Sequence, residues 1–480
     1  MSRHITTRRR LLQGIATTGI GLSFAGLAGA DEDGVVQYLV IGGRGVKRRL
    51  EDEGFEVRQE LAGGQVFVVY GPTDAADQVR SVRGVRVAER DVRFKLERPE
   101  REAPAEQEDV EEPTFYEAFL WDKQVTESLE ANQVATGSGS EIAIIDTGIS
   151  YVHPDLTPNL QAEAGRRFKE GRIDAGTEEG IVVGRPAQEG SELDFDIDFV
   201  EQHVAADVQG HGTHVGGIAA ASADEGFTGT GVMGTAPDAD LASLRVFWWT
   251  EIGDEDDPID ERWAVTTTTG DVLTAIDYAA EEGYDAANLS LGTSPLPPQV
   301  NSESFARAYK LVIEHAVQQG TVVIASAGNA GTDLQRGGLF SLPNSVQGAM
   351  SISATGPNDE LSFYSNFGTN EIDVGAPGGG YETLEMTLAD DTEWPFPTNL
   401  VFSTTDPQVE GAPYGWKAGT SMAAPQVAGL VGLVRELDPD TNANQVESAI
   451  AHGAEGSNGR SDPETGAGRI NALNTVERVR

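Results

Sequence analysis

The 480-residue chain contains no cysteine, which excludes disulfides and thiol chemistry and leaves oxygen or nitrogen as the atom of any nucleophile. It also lacks any run of about 18 or more apolar residues, so nothing in it demands a bilayer and no stable membrane association is expected. Positive charge is scarce: 34 basic residues face 77 acidic ones, the formal charge is -43, and lysine stands only at 47, 95, 123, 169, 310 and 417. A chain that cannot supply cations cannot release counterions from phosphates, which excludes nucleic acid as a partner. Hydrophobic residues, at 39%, are still enough for one large core or two.

What is abundant is acid, spread through every segment instead of gathered in one tail. An acidic surface repels itself at low ionic strength, and the repulsion becomes tolerable where salt shortens the Debye length to about 3 Å at 1 M. The composition reads as that of a salt-adapted protein.

The chain divides by composition into four parts. In TTRRRLLQGIATTGIGLSFAGLAGADE, the cluster Arg8, Arg9 and Arg10 precedes a moderately apolar stretch, and Ala28, Gly29 and Ala30 supply the small residues of a processing site. Residues 1–30 resemble a twin-arginine signal, which exports folded proteins, so a secreted product is expected. Residues 31–96 carry a strand at VVQYLVIG, a helical stretch from 46 to 53, paired strands across EVRQELAGGQVFVVYG, a helix after Pro72 and a last strand in VRVAERDVRF. That βαββαβ order is the small α+β ferredoxin-like plan. Residues 97–114 include ERPEREAPAEQEDVEEP, which has no apolar period and reads as a solvated linker.

Residues 115–480 alternate helical stretches with the apolar runs EIAIID, ADLASLRVF, ANLSLG, VVIASAG, MSISAT and IDVGAPG. The fold class is α/β, a mostly parallel sheet with helices on both faces. Acidic insertions at 161–208, 250–263 and 380–411 are expected on the surface, and no internal repeat is found. The close at GAGRINALNTVERV fits a final helix with no further domain.

Ligands of such sheets bind beyond the carboxyl ends of the strands. There the chain gathers Asp146 in IIDTGIS, Ser290 in NLSLG and Asn329 in ASAGNAG. Of the seven histidines, His211 heads GHGTHVGGIAAASA, so its imidazole projects from a helix start beside the crevice. His211 and His214 at i and i+3 could bind metal from one face, but the acidic base of HExxH and a third ligand are lacking. His214 reads as packed in the helix. In GTSMAAPQVAG, Ser421 stands between a turn and a small-residue helix, where it caps the helix and Pro425 falls in the first turn, where a missing N–H costs least. A GxSxG elbow is excluded, since Ala423 takes the second glycine position and only His452 follows.

The four blocks IIDTGIS, HGTHVGG, ASAGNAG and GTSMAAPQVAG are similar, in order, to the signature blocks of the subtilisin-like serine proteases, and the order Asp, His, Ser is the subtilisin order. The likeness covers roughly 115–480, and among subtilases the chain resembles the secreted halolysins. The resemblance implies a subtilisin-like fold and a serine endopeptidase in which Ser421 is the nucleophile, His211 the base, Asp146 its orienting acid, and Asn329 with the Ser421 N–H the oxyanion donors. It implies protein or peptide substrates added as a strand between two edges, Ser290-Leu291-Gly292 and a segment near Thr269-Gly270. Ala327 and Gly328 then line the specificity pocket, with Ser341 at its floor. It implies no organic cofactor, a structural calcium with Asp155 in YVHPDL and Asp224 in ASADEGFTGTG as candidate ligands, and a monomer. Residues 31–96 take the place of the family's propeptide, a folding template and intramolecular inhibitor cut off within the linker. The alternative, a catalytically silent binding module on the same fold, is opposed by the intact Asp146, His211, Asn329 and Ser421.

Overall fold

The computed structural model describes residues 34–96, 114–183, 197–224, 226–251, 263–296, 303–456 and 461–480, with the short strands Leu22–Ser23 and Ala103–Pro104. The rest of the signal segment and linker, and the centres of the insertions at 161–208 and 250–263, lie outside the described residues.

The N-terminal unit consists of β1 (Val35–Ile41), α1 (Val46–Asp52), β2 (Glu56–Leu61), β3 (Val66–Pro72), α2 (Ala76–Ser81) and β4 (Val87–Arg90). Its antiparallel sheet has the order β2-β3-β1-β4, the ferredoxin-like arrangement. Apart from Gln37, β1 is apolar because both of its faces are covered. Val36, Tyr38 and Val40 belong to the unit's own core, whereas Leu39 and Ile41 belong to a cluster shared with the large domain. The last strand expected in VRVAERDVRF is two strands, β4 and β5 (Arg93–Leu96). They part at Asp91, whose carboxylate accepts from the backbone N–H of Val92 and of Gly270, both at 2.7 Å. β5 then leaves the small sheet and pairs antiparallel with Trp263–Thr268 of the large domain, with Leu22–Ser23 along its other edge.

In the large domain the elements are β6 (Glu141–Asp146), α3 (His211–Ala220), β7 (Asp240–Arg245), β8 (Trp263–Thr268), α4 (Thr269–Glu282), β9 (Ala286–Leu289), α5 (Glu303–Gln319), β10 (Val322–Ser326), β11 (Ala349–Thr355) and β12 (Val374–Pro377). They are followed by β13 (Val401–Thr404), α6 (Pro407–Glu410), β14 (Tyr414–Lys417), α7 (Thr420–Leu437) and α8 (Ala443–Gly453). Six strands form a parallel sheet in the order β7-β6-β9-β10-β11-β12, extended by two short strands at each end. The period-2 alternation of EIAIID sorts the layers. Ile142 and Ile144 face the core under α3, α7 and α8, whereas Ala143 and Ile145 face the core under α4 and α5. β7 and β9 flank β6 on opposite sides, so the strand order reverses at β6, and a crevice opens at its carboxyl end.

Two insertions contribute to the interior, contrary to the surface position expected from their acidity. Arg166–Lys169 joins the large sheet beside β7, which buries Phe168 completely. Residues 401–404 are β13, whose Val401 and Phe402 are buried against α3 and β14. Short apolar strands placed inside acidic stretches are masked when charge is averaged over the stretch.

Candidate active site

Asp146 is the last residue of β6, and His211 is the first residue of α3, so the two chain ends meet where the sheet order reverses. His211 Nδ1 lies 2.7 Å from Asp146 Oδ1, with both side chains almost fully buried. The approach requires glycine at 212, because a Cβ there would stand 2.1 Å from the Gly148 carbonyl oxygen and 3.1 Å from the Asp146 Cβ. Asp207, which the sequence reading missed, organises the turn before α3. It accepts from the N–H groups of Gln209, Gly210 and Thr213 at 2.8–2.9 Å and from the hydroxyls of Thr147 and Thr213. The Thr147 hydroxyl in turn accepts from Gly212 N at 2.9 Å. The turn bearing His211 is thereby fastened to the end of β6.

Ser421 is the second residue of α7, and Gly419 occupies the cap, so the serine is not the cap expected from the sequence. Pro425 accordingly lies beyond the first turn, inside the helix. Its missing N–H deprives the Ser421 carbonyl of its helical donor. The Ser290 hydroxyl fills that place, donating to Ser421 O at 2.8 Å and accepting from Asn288 Nδ2 at 3.0 Å. The Ser421 hydroxyl donates to Ser290 O at 3.0 Å. His211 Nε2 is buried and has no partner among the described residues, which leaves it as the free acceptor on an imidazole held from its other side.

Asn329 follows β10, and its orientation is fixed. Its Oδ1 accepts from the Thr420 N–H at 2.7 Å and from the Thr420 hydroxyl at 2.8 Å, which turns Nδ2 away from Thr420. A Cβ built on Gly419 would sit 3.5 Å from Asn329 Nδ2 and 3.6 Å from Ser421 N. Asn329 Nδ2 and Ser421 N thus both border one small space next to the serine, with Asn329 Oδ1 3.7 Å from the same point, and a side chain at 419 would fill it. Such a space suits an oxygen that gains negative charge.

Against known proteins, the model of the subtilase family matches residues 137–468. The chain belongs to the subtilase family. It is 30% identical over 369 residues to the thermophilic serine proteinase of Bacillus sp. (strain AK1), covering 76% of this chain and 68% of that one. It is 29% identical over 365 residues to thermitase of Thermoactinomyces vulgaris, covering 76% of this chain and 98% of that one. The epidermin leader peptide processing serine protease of Staphylococcus aureus has the same fold, with a TM-score of 0.66 and 19% identity over 92% of this chain and 98% of that one. As a subtilase, the protein is a subtilisin-like serine peptidase.

The other expected site residues of this subtilase fall as follows. Ser290, Leu291 and Gly292 leave β9 directly, and all three are buried. The space that a Cβ on Gly292 would take is bounded by Leu342 O at 3.3 Å and Ser326 O at 4.0 Å, which brings Gly292, the end of β10 and the 341–342 segment together. Ala327 is buried, and Gly328 has a φ of 93° with Asn366 Nδ2 only 2.6 Å from where a Cβ would be. Ser341 is buried, its hydroxyl donating to Asn344 Oδ1 at 2.7 Å. Gly270 is not on a strand edge. It is the second residue of α4 and contacts Gln37 and Asp91 of the N-terminal unit. The strand edge in this region is β8, immediately upstream, and β5 already pairs with it.

Of the two candidate calcium ligands, Asp155 has its Oδ2 engaged by donors, accepting from Val232 N and from the Tyr414 hydroxyl, each at 2.9 Å. Asp224 is exposed in a turn, and among the described residues no group of three or more His, Asp or Glu could hold a metal. Through its contacts with Val232 and Tyr414, Asp155 ties the loop after α3 to β14. His214 is buried, and burial, reinforced by the charges of Lys417 and His211, drives its pKa well below the ordinary histidine value. That fits a neutral, packed ring.

Proposed function

We propose that this subtilase is a secreted, salt-adapted serine endopeptidase acting through an acyl-enzyme on Ser421. In this reading His211 Nε2 takes the Ser421 proton as Oγ attacks the scissile carbonyl carbon, and the imidazolium passes that proton to the leaving amine. Asp146 holds the Nδ1–H tautomer and stabilises the imidazolium. Ser421 N and Asn329 Nδ2 receive the developing oxyanion. A water activated by the same imidazole then hydrolyses the ester and restores the serine. The observations that carry the reading are the Asp146–His211 pair, whose outer nitrogen has no partner among the described residues, and Asn329 Nδ2 and Ser421 N beside one small space at Gly419. No organic cofactor enters the sequence of steps.

The substrate is a protein or peptide bound as an added strand, with Ser290-Leu291-Gly292 and β8 as the flanking edges and Ala327, Gly328 and Ser341 around the pocket. Residues 31–96 act as a propeptide and intramolecular inhibitor. The seating of β5 on the β8 edge supports this, since it occupies an edge that a substrate strand would use. Self-cleavage in the linker at 97–114 releases a monomeric enzyme, and residues 1–30 direct export by the twin-arginine route. The resemblance to the halolysins and the charge of -43 support salt adaptation.

Digestion of a peptide library in molar salt, with products read by mass spectrometry, tests the function and maps the pocket together. Wild type should cut internal bonds and Ser421→Ala should cut none. Equal digestion by both, or none by either, contradicts the proposal. Activity should rise with salt, and full activity after prolonged dialysis to low salt contradicts the salt reading.

A further inference from the structure

We propose that the buried pair Lys417–Glu410 is a positioning clamp that fixes the His211 turn against the strand leading to Ser421. This rests on the catalytic reading above. Lys417 ends β14, four residues before Ser421, and Glu410 ends α6. Their side chains are 2% and 9% exposed, and Lys417 Nζ donates to Glu410 Oε1 at 2.6 Å. The ammonium also reaches Gly210 O at 3.4 Å. Gly210 is the cap of α3, directly before His211, and has a φ of 95°. The Glu410 carboxylate lies where a Cβ of Gly210 would be, with Oε1 1.9 Å from that position. One ion pair thus touches the backbone beside the imidazole and continues into the segment carrying the serine.

Stability alone is a weak reason for such a pair. Two charges taken from water return little net free energy, and a packed apolar pair of similar volume often does as well. A pair also fixes distance and direction more sharply than an apolar contact, and small displacements of catalytic groups are costly. The pair further sets the local field. After burial, the Lys417 charge helps hold the His214 ring of α3 neutral, so the field of the pair reaches that helix. The other titratable groups on the joined elements are Asp146, Asp207, His211, His214, Asp406 and Tyr414, with Glu178 on the strand Thr177–Val183 against which α6 packs.

The test compares Lys417→Met, Glu410→Gln, the double variant and Lys417→Arg, each made from the full chain in molar salt. Peptide hydrolysis is read as kcat and KM, and the acid limb of kcat/KM is followed against pH. Each single neutralisation should lower kcat by about 10- to 100-fold with KM little changed. The acid limb should move to higher pH in Lys417→Met, where the carboxylate remains, and to lower pH in Glu410→Gln, where the ammonium remains. The double variant should return the limb to its wild-type position, and Lys417→Arg should keep it there. Limbs that stay put or move the same way in both single variants, with losses only in melting temperature, overturn the clamp. If a neutralised variant does not fold, Lys417→Arg still decides: a displaced limb in a folded Lys417→Arg protein overturns it. Failure of the proteolytic reading is distinct, because wild type itself would then hydrolyse nothing.

Discussion

Raising the pH should loosen the N-terminal unit from the large domain, and Asp91 should be the main cause. Its carboxyl, at the point where β4 and β5 part, accepts from Gln37 Nε2 at 2.6 Å and from the backbone N–H of Val92 and Gly270. Burial outweighs these donors and pushes its pKa from 3.8 to about 6. Asp271 stands nearby with its own pKa pushed to about 7, first by burial and also by the Asp91 charge. Asp271 is bonded to Thr268 and to the backbone of 170 and 171, all within the large domain, so docking changes it less. A rise from 3.8 to about 6 corresponds to about 3 kcal/mol. Asp91 keeps some contact with solvent, so the share due to docking is discounted to about 1–2 kcal/mol, or about 5- to 30-fold in affinity. The sign follows from proton uptake. The docked carboxyl holds its proton to higher pH than the free one, so docking is strongest below about pH 4, weakens as the pH rises through about 6, and is level above that. Processed wild-type protein with its serine blocked can be passed over a sizing column in molar salt between about pH 4 and pH 7.5, and the co-eluting N-terminal unit measured. Retention should fall across that window, and Asp91→Asn should flatten the fall. Retention that rises with pH, or an Asp91→Asn slope equal to wild type, refutes the reasoning.

Two further substitutions probe the chain elsewhere. Asn329→Ala removes one of the two donors bordering the space at Gly419 and should lower kcat by about 10²–10³-fold with KM little changed, a magnitude already known for this type of donor from subtilisin. Steady-state kinetics on a short peptide would check it, and a loss confined to KM would contradict the oxyanion role. Lys123, fully buried, donates to Ile218 O at 3.0 Å and Thr235 Oγ1 at 2.9 Å and lies 3.4 Å from the buried Asp122 Oδ2. Lys123→Met strands the Asp122 charge and should cost about 3–5 kcal/mol in denaturant unfolding, most of it recovered in Asp122→Asn/Lys123→Met. Burial also lowers the Lys123 pKa from 10.5 to about 8, so the folded protein sheds this proton first, and its contribution to stability should rise between about pH 8 and pH 10.5.

Most of the architecture was legible because it is local. Apolar runs with strand length named all six parallel strands, and the small-residue stretch after His211 named its helix. The four signature blocks placed Asp146, His211, Asn329 and Ser421 at the ends of the right elements. What escaped depends on partners distant in sequence. Pro425 was expected where its missing N–H is harmless, whereas the structure shows the vacancy filled by Ser290, 131 residues from Ser421. The break at Asp91 needs Gly270, 179 residues away. Nothing local marks Lys123 as buried; its partner Gln426 Oε1, which accepts from it, lies 303 residues on. Asp207 offered a faint local signal, an aspartate three residues before a glycine at a helix start, but it stood in an acidic stretch where carboxylates are common.

The central claim is that the Ser421 oxygen gives its proton to His211. A fluorophosphonate that labels activated serines, applied in molar salt and located by peptide mass spectrometry, tests it most directly. The account predicts a single adduct on Ser421 in wild type and loss of that adduct in His211→Ala while the fold is retained. An adduct on another residue, or labelling of Ser421 that proceeds equally fast without His211, would contradict it.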